Sequence, residues 1–388
     1  MTHKYTPCRV WVQVPTGGIA REPSYFGTRA DSVKFCRPTV RVRMGARSYM
    51  NTHQTHMRHA VGVAESARHR ARPNPWVGAV VVCQDGSIYS GATSAPGGAH
   101  AEIVALNAAL AAHASTNGAT LYSTLEPCSH IGRTGACTTA IIDAGISTVV
   151  SGIQDPDPRV AGRGFAQLES AGIAIVRDVC ADEITTQLRP YIHHRTTGRP
   201  FVRLKMACTM DARTTLPDGQ KRITGDEARV RVHELRADSD VIITGMGTVR
   251  TDDPLLTVRD CDGESPRRIV LVTDLGSVPE HAQVQPCDEW AGSLTDLLDE
   301  LGSQGVIVAM VEAGPRVARS FFEHNLVNEY IFHIAPIVCG DSNTLPVFDG
   351  LPATTASQMW RGTLSSVGVF GSDLEIILSP QQQKVGAS

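Results

Sequence analysis

From Met57 onward short apolar runs alternate with amphipathic ones, and the alternation predicts helices and strands in turn. MRHAVGVAESARHR (57–70) reads as a helix, broken by Pro73 and Pro75. WVGAVVV (76–82) is β-branched and apolar, the mark of a buried strand. The Ala/Leu-rich stretch from His100 to His113 is helical, ATLYSTL (119–125) a strand, and Cys137 to Ala144 a short helix stopped by Gly145. STVVSGI (147–153), GFAQLESA (164–171) and IAIV (173–176) read as strand, helix and strand. Strands separated by helices imply a layered α/β domain with largely parallel pairing. RPYIHHRTTGRP (189–200) has no period and two prolines, which predicts a linker. A second α/β pattern follows, with strands at 201–207, 240–245, 267–274, 306–311 and 330–338. Helices are expected at 225–237 and 315–326, the first opened by the capping-box sequence Thr224-Gly-Asp-Glu227.

Composition narrows the class. With 388 residues, 42% apolar and 19% charged, the chain suits an ordinary globular protein of two or three domains. No apolar run reaches the roughly 20 residues of a membrane span. Ten cysteines scattered over so long a chain do not resemble a disulfide scaffold, so a reducing cytosol is the simpler setting. The first fifty residues differ, carrying nine Lys/Arg against Glu22 and Asp31. An Arg-rich, acid-poor leader can be an organelle transit peptide, but with no amphipathic helix visible a disordered extension or a start at Met50 or Met57 is the favoured reading. The leader contributes +7 to a total of −3, so residues 51–388 carry −10. That balance speaks against a nucleic-acid partner, which would want a basic surface.

The chemistry concentrates in two stretches. GGAHAEIVAL places His100 and Glu102 at one expected helix start; TLEPCSHIGRTGAC places Cys128 after a strand and Cys137 at another helix start. Catalytic zinc takes three His/Cys/carboxylate ligands and keeps one position open. His100, Cys128 and Cys137 supply such a set, with His130 as the competitor for the third place. Glu102, two residues past the histidine, is placed to shuttle a proton rather than to bind metal. H-x-E followed by P-C is the mark of zinc deaminases, although Cys137 departs from the usual C-x-x-C spacing. Taken singly, each residue is better explained as a buried thiol or a helix cap. In the second half, VIVAMVEAGPRVARS gives strand, small-residue turn and helix, with Gly314 at the turn and Pro315 near the helix start. GMGTVR (245–250) is a second glycine-bearing turn. Neither completes a G-x-G-x-x-G, and both also read as ordinary turns.

NPWVGAVVV, GGAHAEIVAL, TLEPCSHIGRTGAC and QDPDPRVAGRG, in that order, resemble the pyrimidine deaminase of riboflavin biosynthesis, in which the longer spacing between the cysteines is usual. RPFVRLKMACTMDAR, RITGDEARVRVHELRADSDVIITGMGTVRTDDPLLTVR and VEAGPRVARSFFEHNLVNEY resemble its fused partner, the 5-amino-6-(5-phosphoribosylamino)uracil reductase. The resemblance implies a cytidine-deaminase-like three-layer α/β/α domain over residues 51–195 and a dihydrofolate-reductase-like α/β domain over 196–388. It implies one zinc on His100, Cys128 and Cys137, Glu102 as proton shuttle, and Asn74 against the pyrimidine, although Asn before Pro75 is also a routine turn residue. It places NADPH at Ala207, Thr248, Asp252 and the run Gly314, Pro315, Arg316, Val317, Ala318, Arg319, Ser320. The substrate's ribosyl phosphate falls to Arg236, Leu256, Arg259 and Glu312, with Lys205 as a further contact. Two arginines suit a phosphate, which guanidinium binds bidentately.

Departures from the family concern the second half: Gln220 and Arg222 stand where Ser and Trp are usual, Ala313 replaces a glycine, and 275–292 is short. If position 313 needed a positive φ, alanine would strain it. These differences leave room for a deaminase whose C-terminal domain is only structural. The implied substrate is a small pyrimidine ribosyl phosphate, with no membrane partner; association with further copies of the chain stays open.

Overall fold

The computed structural model describes residues 46–129, 135–158, 160–349 and 354–381. The basic leader to residue 45 and His130 lie outside the described residues. Residues 46–388 form one compact unit.

The N-terminal half runs α1 (Ala46–Glu65), β1 (Gly78–Val82), β2 (Ile88–Ala92), α2 (Ala101–Ala111), β3 (Thr120–Leu125), α3 (Cys137–Asp143), β4 (Thr148–Ile153), α4 (Arg163–Ser170), β5 (Ala174–Val176), α5 (Ala181–Gln187) and α6 (Arg189–Thr197). Its sheet has the order β2-β1-β3-β4-β5. Parallel pairing holds for β3, β4 and β5, but β1 is antiparallel to both β2 and β3. The reason is local. Gly86, at φ 87°, turns the chain straight back after β1, whereas a parallel return needs a crossover of a dozen or more residues. Two glycines show how closely helices cover both faces. A Cβ on Gly78 would lie 2.0 Å from the carbonyl oxygen of Ala60 in α1, and one on Gly91 2.4 Å from the amide nitrogen of Ala105 in α2. Gly91 pairs with Ala79, the neighbour of Gly78, and successive residues of a strand face opposite ways. So α1 and α2 lie on opposite faces, giving the expected three layers.

Two expectations fail here. The first helix begins at Ala46, since no Gly or Pro interrupts the chain before Met57, and it ends at Glu65. Beyond it Ser66, Ala67 and Arg68 donate only to carbonyls three residues back. The expected linker is helix α6, with Pro190 in its first turn, where a missing N–H costs nothing, and Gly198 closing it at φ 76°. The helix thus runs across the expected border at 195/196 and stops at Gly198.

The C-terminal half comprises β6 (Phe201–Thr209), α7 (Asp226–Ala237), β7 (Val241–Gly245), α8 (Met246–Asp252), β8 (Arg267–Leu271), β9 (Asp288–Trp290), α9 (Leu294–Ser303), β10 (Val308–Val311), α10 (Pro315–Glu323), β11 (Glu329–Ala335), β12 (Gly362–Phe370) and β13 (Asp373–Pro380). The sheet order is β12-β13-β11-β6-β10-β7-β8-β9. Strands β6 to β11 pair in parallel; β13 and β12 add antiparallel at one edge. Val202, Leu204, Ile243 and Val311 pack with α9 and α10 on one face. Ile242, Val270 and Met310 pack with α7 and α8 on the other. Two motif readings change. Thr224-Gly-Asp-Glu does not close as a capping box: Gly225 is the cap residue, and its N–H donates to Asp373 Oδ2 at 2.7 Å. GMGTVR is the start of helix α8, not a loop.

Candidate active sites

Three side chains converge at one end of the first sheet. His100 directly precedes α2, Cys137 opens α3, and Cys128 follows β3. The hydrogen bond to Cys128, then burial, hold the Cys137 thiol well above the ordinary cysteine range. His100 Nδ1 lies 3.4 Å from Cys128 Sγ and 3.3 Å from Cys137 Sγ. The three ligand atoms all fall within 4.8 Å of one another, and among the described residues they are the one His/Cys/Asp/Glu group so arranged. Zinc–sulfur and zinc–nitrogen bonds of about 2.3 and 2.0–2.1 Å give tetrahedral S···N edges of roughly 3.5 Å, so the residues fit that metal. Hydrogen bonds from Cys137 and then His100 pull the Cys128 thiol down, so the pair, half-buried at Cys128 and buried at Cys137, favours one negative charge that a cation would match. Glu102, 4% exposed, accepts from Cys137 Sγ at 3.7 Å. Burial, followed by the Cys128 charge, pushes its carboxyl up to about 7.

Register places Asn74 at the same end. β1 runs antiparallel to β3 with Ala79 opposite Ser123, and Gly78 N–H donates to Thr124 Oγ1 at 3.2 Å. The turn before β1 therefore flanks the Glu126-Pro127-Cys128 segment after β3. Glu126 was not anticipated as a functional residue. Its buried carboxylate accepts from the N–H groups of Gly162 and Gly164 at 2.9 Å and of Asp155 at 3.2 Å. A Cβ on Gly164 would lie 2.0 Å from Pro127 O, so the 155–164 loop is clasped directly behind Cys128. The paired signal, a Glu beside Pro-Cys and a downstream loop with two glycines, was present but had no local pattern to join it.

In the second half the residues assigned to cofactor and sugar meet at the C-terminal ends of parallel strands, where ligands bind in open α/β sheets. Gly314 N–H donates to Thr248 Oγ1 at 3.2 Å, which ties the start of α10 to α8. Ala207, near the end of β6, is half-buried, and Asp252 is exposed at the end of α8. Pro315 and Ala318 are buried and Val317 packs against the core, while Arg319 pairs with Glu323 at 2.7 Å and Ser320 bonds Arg316 O. That leaves the half-buried amide edge around Gly314 and the exposed Arg316 as the accessible part of the run. Glu312 receives both arms of Arg236, at 3.0 and 2.7 Å. Burial alone would raise Glu312; Arg236 and then Lys205 outweigh it and hold the carboxyl at about 2. Burial lowers the Lys205 ammonium, opposed by Glu312. The two arginines thus divide. Arg236 has all three nitrogens engaged by Glu312 and Thr257 O, whereas Arg259 is exposed and bonds Thr257 Oγ1 through one nitrogen. Leu256 between them is buried at φ 52°, an uncommon conformation for its type. Ala313 is not among the residues with positive φ, so the glycine missing there is not required by the backbone.

Two family models match the chain: the cytidine and deoxycytidylate deaminase zinc-binding region over residues 50–153, and the RibD C-terminal domain over 200–375. The Escherichia coli riboflavin biosynthesis protein RibD is 36% identical over 338 residues, which span 76% of this chain and 91% of that protein. The Chlamydia muridarum protein of the same name is 35% identical over 324 residues, 74% of this chain and 86% of its own. Among solved structures, Acinetobacter baumannii RibD superposes with TM-score 0.79 at 31% identity, covering 86% of this chain and 100% of that one. A Thermotoga maritima diaminohydroxyphosphoribosylaminopyrimidine deaminase/5-amino-6-(5-phosphoribosylamino)uracil reductase superposes with TM-score 0.77 at 30% identity, covering 86% and 99%.

Proposed function

The chain belongs to the RibD family of riboflavin biosynthesis proteins, and from that premise we propose how its two sites divide two consecutive reactions. It is a bifunctional enzyme. The N-terminal site hydrolyses an amino group from 2,5-diamino-6-ribosylamino-4(3H)-pyrimidinone 5′-phosphate; the C-terminal site reduces the ribosyl chain to ribityl with NADPH. The observation that carries this is the convergence of His100, Cys128 and Cys137 around Glu102 at one end of the first sheet.

His100, Cys128 and Cys137 hold the metal. Bound there, zinc supplies a Lewis acid that makes water nucleophilic near neutral pH. Glu102 takes the proton from the attacking water and returns it to the departing amine. Its position in the first turn of α2, one residue beyond His100's neighbour, keeps its carboxylate against the ligand set without belonging to it. Asn74 offers the pyrimidine one donor and one acceptor. In the reductase site Arg259 takes the substrate phosphate, Glu312 and Lys205 face the sugar, and Thr248 with the Gly314 amide edge receives the cofactor's phosphates. Arg236 acts here by holding Glu312 ionised. Asp252 and Ala207 complete the cofactor side.

The deaminase module extends to Gly198 and the reductase module from there to the C-terminus. No described helix is long and apolar enough to cross a membrane. The net negative charge beyond the leader supports a small-molecule substrate over nucleic acid, and a cytoplasmic location fits the reduced thiols. A merely structural C-terminal domain is not favoured: Arg236 and Lys205 hold the Glu312 carboxylate ionised directly after β10, at the strand ends where open α/β sheets bind ligands. Mass spectrometry of the product formed with the diaminopyrimidinone ribosyl phosphate and NADPH tests the reading. A deaminated and reduced product is expected. A deaminated product still carrying the closed ribosyl ring would leave the first site standing and remove the second.

A further inference from the structure

The turn that carries Asn74 is poorly restrained by its own backbone. Pro73 and Pro75 flank Asn74 and have no N–H to give; the turn's one internal bond is Asn74 N–H to Ala71 O at 2.9 Å. Ala71 and Trp76, buried in the core of their own domain, fix its two ends, and side chains reaching into the other domain add a tether between them. Arg72 donates to the carbonyl of Ala237, the last residue of α7, at 2.7 Å, and forms an ion pair with Asp240 at 3.2 Å. Its side chain is 12% exposed. Asp240 is itself held in place, because its other oxygen accepts from the N–H groups of Ile307 and Val308 at 2.8 Å each. One turn of chain earlier, Arg68 grips Asp238 through two bonds of 2.7 Å while its guanidinium lies 5.7 Å from the centre of the Trp76 ring. Asp238 also pairs with Arg203 of β6. The segment 237–240 thus holds the chain leading into the Asn74 turn at Arg68 and Arg72, and Arg68 in turn lies against Trp76 on the far side.

We propose that Arg72 is a positioning residue for deamination: its guanidinium fixes the Asn74 turn to the end of α7, so the reductase domain completes the shape of the deaminase's pyrimidine pocket. The inference rests on the reading of Asn74 as a pyrimidine contact. A short amide can orient a base only if its backbone is held to a fraction of an ångström, and small misplacements are costly. Arg72 touches no metal ligand and no residue assigned to the substrate. It acts on binding and not on the proton transfer, so its signature is a change in KM with kcat retained. The reductase reaction is insulated, because Arg236 is held by Glu312 and Thr257 O independently of the Ala237 carbonyl.

The test measures steady-state deamination by the full chain, loaded with zinc, as wild type, Arg72→Ala, Asn74→Ala and the double variant. Arg72→Ala is expected to raise KM about tenfold with kcat within about twofold, and Arg72→Lys to recover most of that loss. Zinc content and reduction of the deaminated substrate, measured on the same samples, should match wild type. The double variant should have the KM of Asn74→Ala alone, because both changes act through one turn. Unchanged KM in Arg72→Ala overturns the proposal. So does a KM that multiplies in the double variant, or a joint fall of kcat and zinc content, which would mark a merely structural role. If Asn74→Ala leaves KM unchanged while Arg72→Ala raises it, the tether stands and the Asn74 assignment fails. Should the alanine variant not fold, Arg72→Gln takes its place, with an expected rise of about fivefold and the same outcomes.

Discussion

In the deaminase pocket the metal-ligand cluster and the proposed proton shuttle all come from between His100 and Cys137, carried on two helix starts and the end of one strand. The proposed reductase pocket draws on residues from Lys205 to Ser320, gathered from the ends of several strands and tied by ion pairs and backbone groups. A metal demands particular side-chain types at short range, so its site is written compactly in sequence. A dinucleotide is bound largely by backbone amides and shape, which many sequences provide. Substitutions should therefore be sharp in the first pocket and graded in the second.

The largest effect is expected from Cys137→Ala. Zinc content should fall from one per chain toward zero and deamination to background, more than the roughly 10–100-fold of changes outside the ligand set. Reduction of the deaminated substrate should continue. Metal analysis by mass spectrometry checks this; retained zinc would show that another side chain, such as His130, completes the set.

Glu102→Gln comes next. The amide keeps the size of the side chain but cannot carry the proton, so zinc should stay while the deamination kcat falls about 10²–10⁴-fold. Retained turnover would remove Glu102 from the shuttle role and leave the three ligands untouched.

These two sites of change were legible because spacing and chemistry coincide: His-Ala-Glu and Pro-Cys sit where helices and a strand were expected to begin and end. The other half was legible in outline only. α6 was hidden because two prolines and no clear period look like a linker, yet Pro190 sits in the first turn, where helices tolerate it. The hairpin of β12 and β13 went unread because its edge strand is exposed on both faces and shows no apolar alternation. The roles of Glu126 and Arg72 depend on backbone groups far along the chain, which no local pattern encodes.

In the reductase site Glu312→Gln should lower kcat/KM of reduction by about 10–100-fold and leave deamination unchanged. The amide no longer separates Arg236 from Lys205, two cations that then face each other in a buried site. The same carboxylate should register in acid stability. Its folded value, about 2, lies below the ordinary 4.5, so its contribution is fully present above about 4.5 and is lost as pH falls toward 2. Over that window Glu312→Gln should flatten the loss of stability by on the order of 2 kcal/mol, read from urea unfolding at pH 6, 4 and 3.

Ala313→Gly should do least. Restoring the family's usual glycine tests whether the second pocket depends on backbone permissiveness at that position. Because Ala313 does not occupy the positive-φ region, glycine offers no relief of strain and only adds freedom to the unfolded chain. The expected result is a reductase kcat/KM within about twofold of wild type and a stability lower by roughly 0.5–1 kcal/mol. A large gain in reduction would mean that the turn between β10 and α10 changes conformation when the cofactor arrives. The graded behaviour expected of the second pocket would then conceal one position as exacting as a metal ligand.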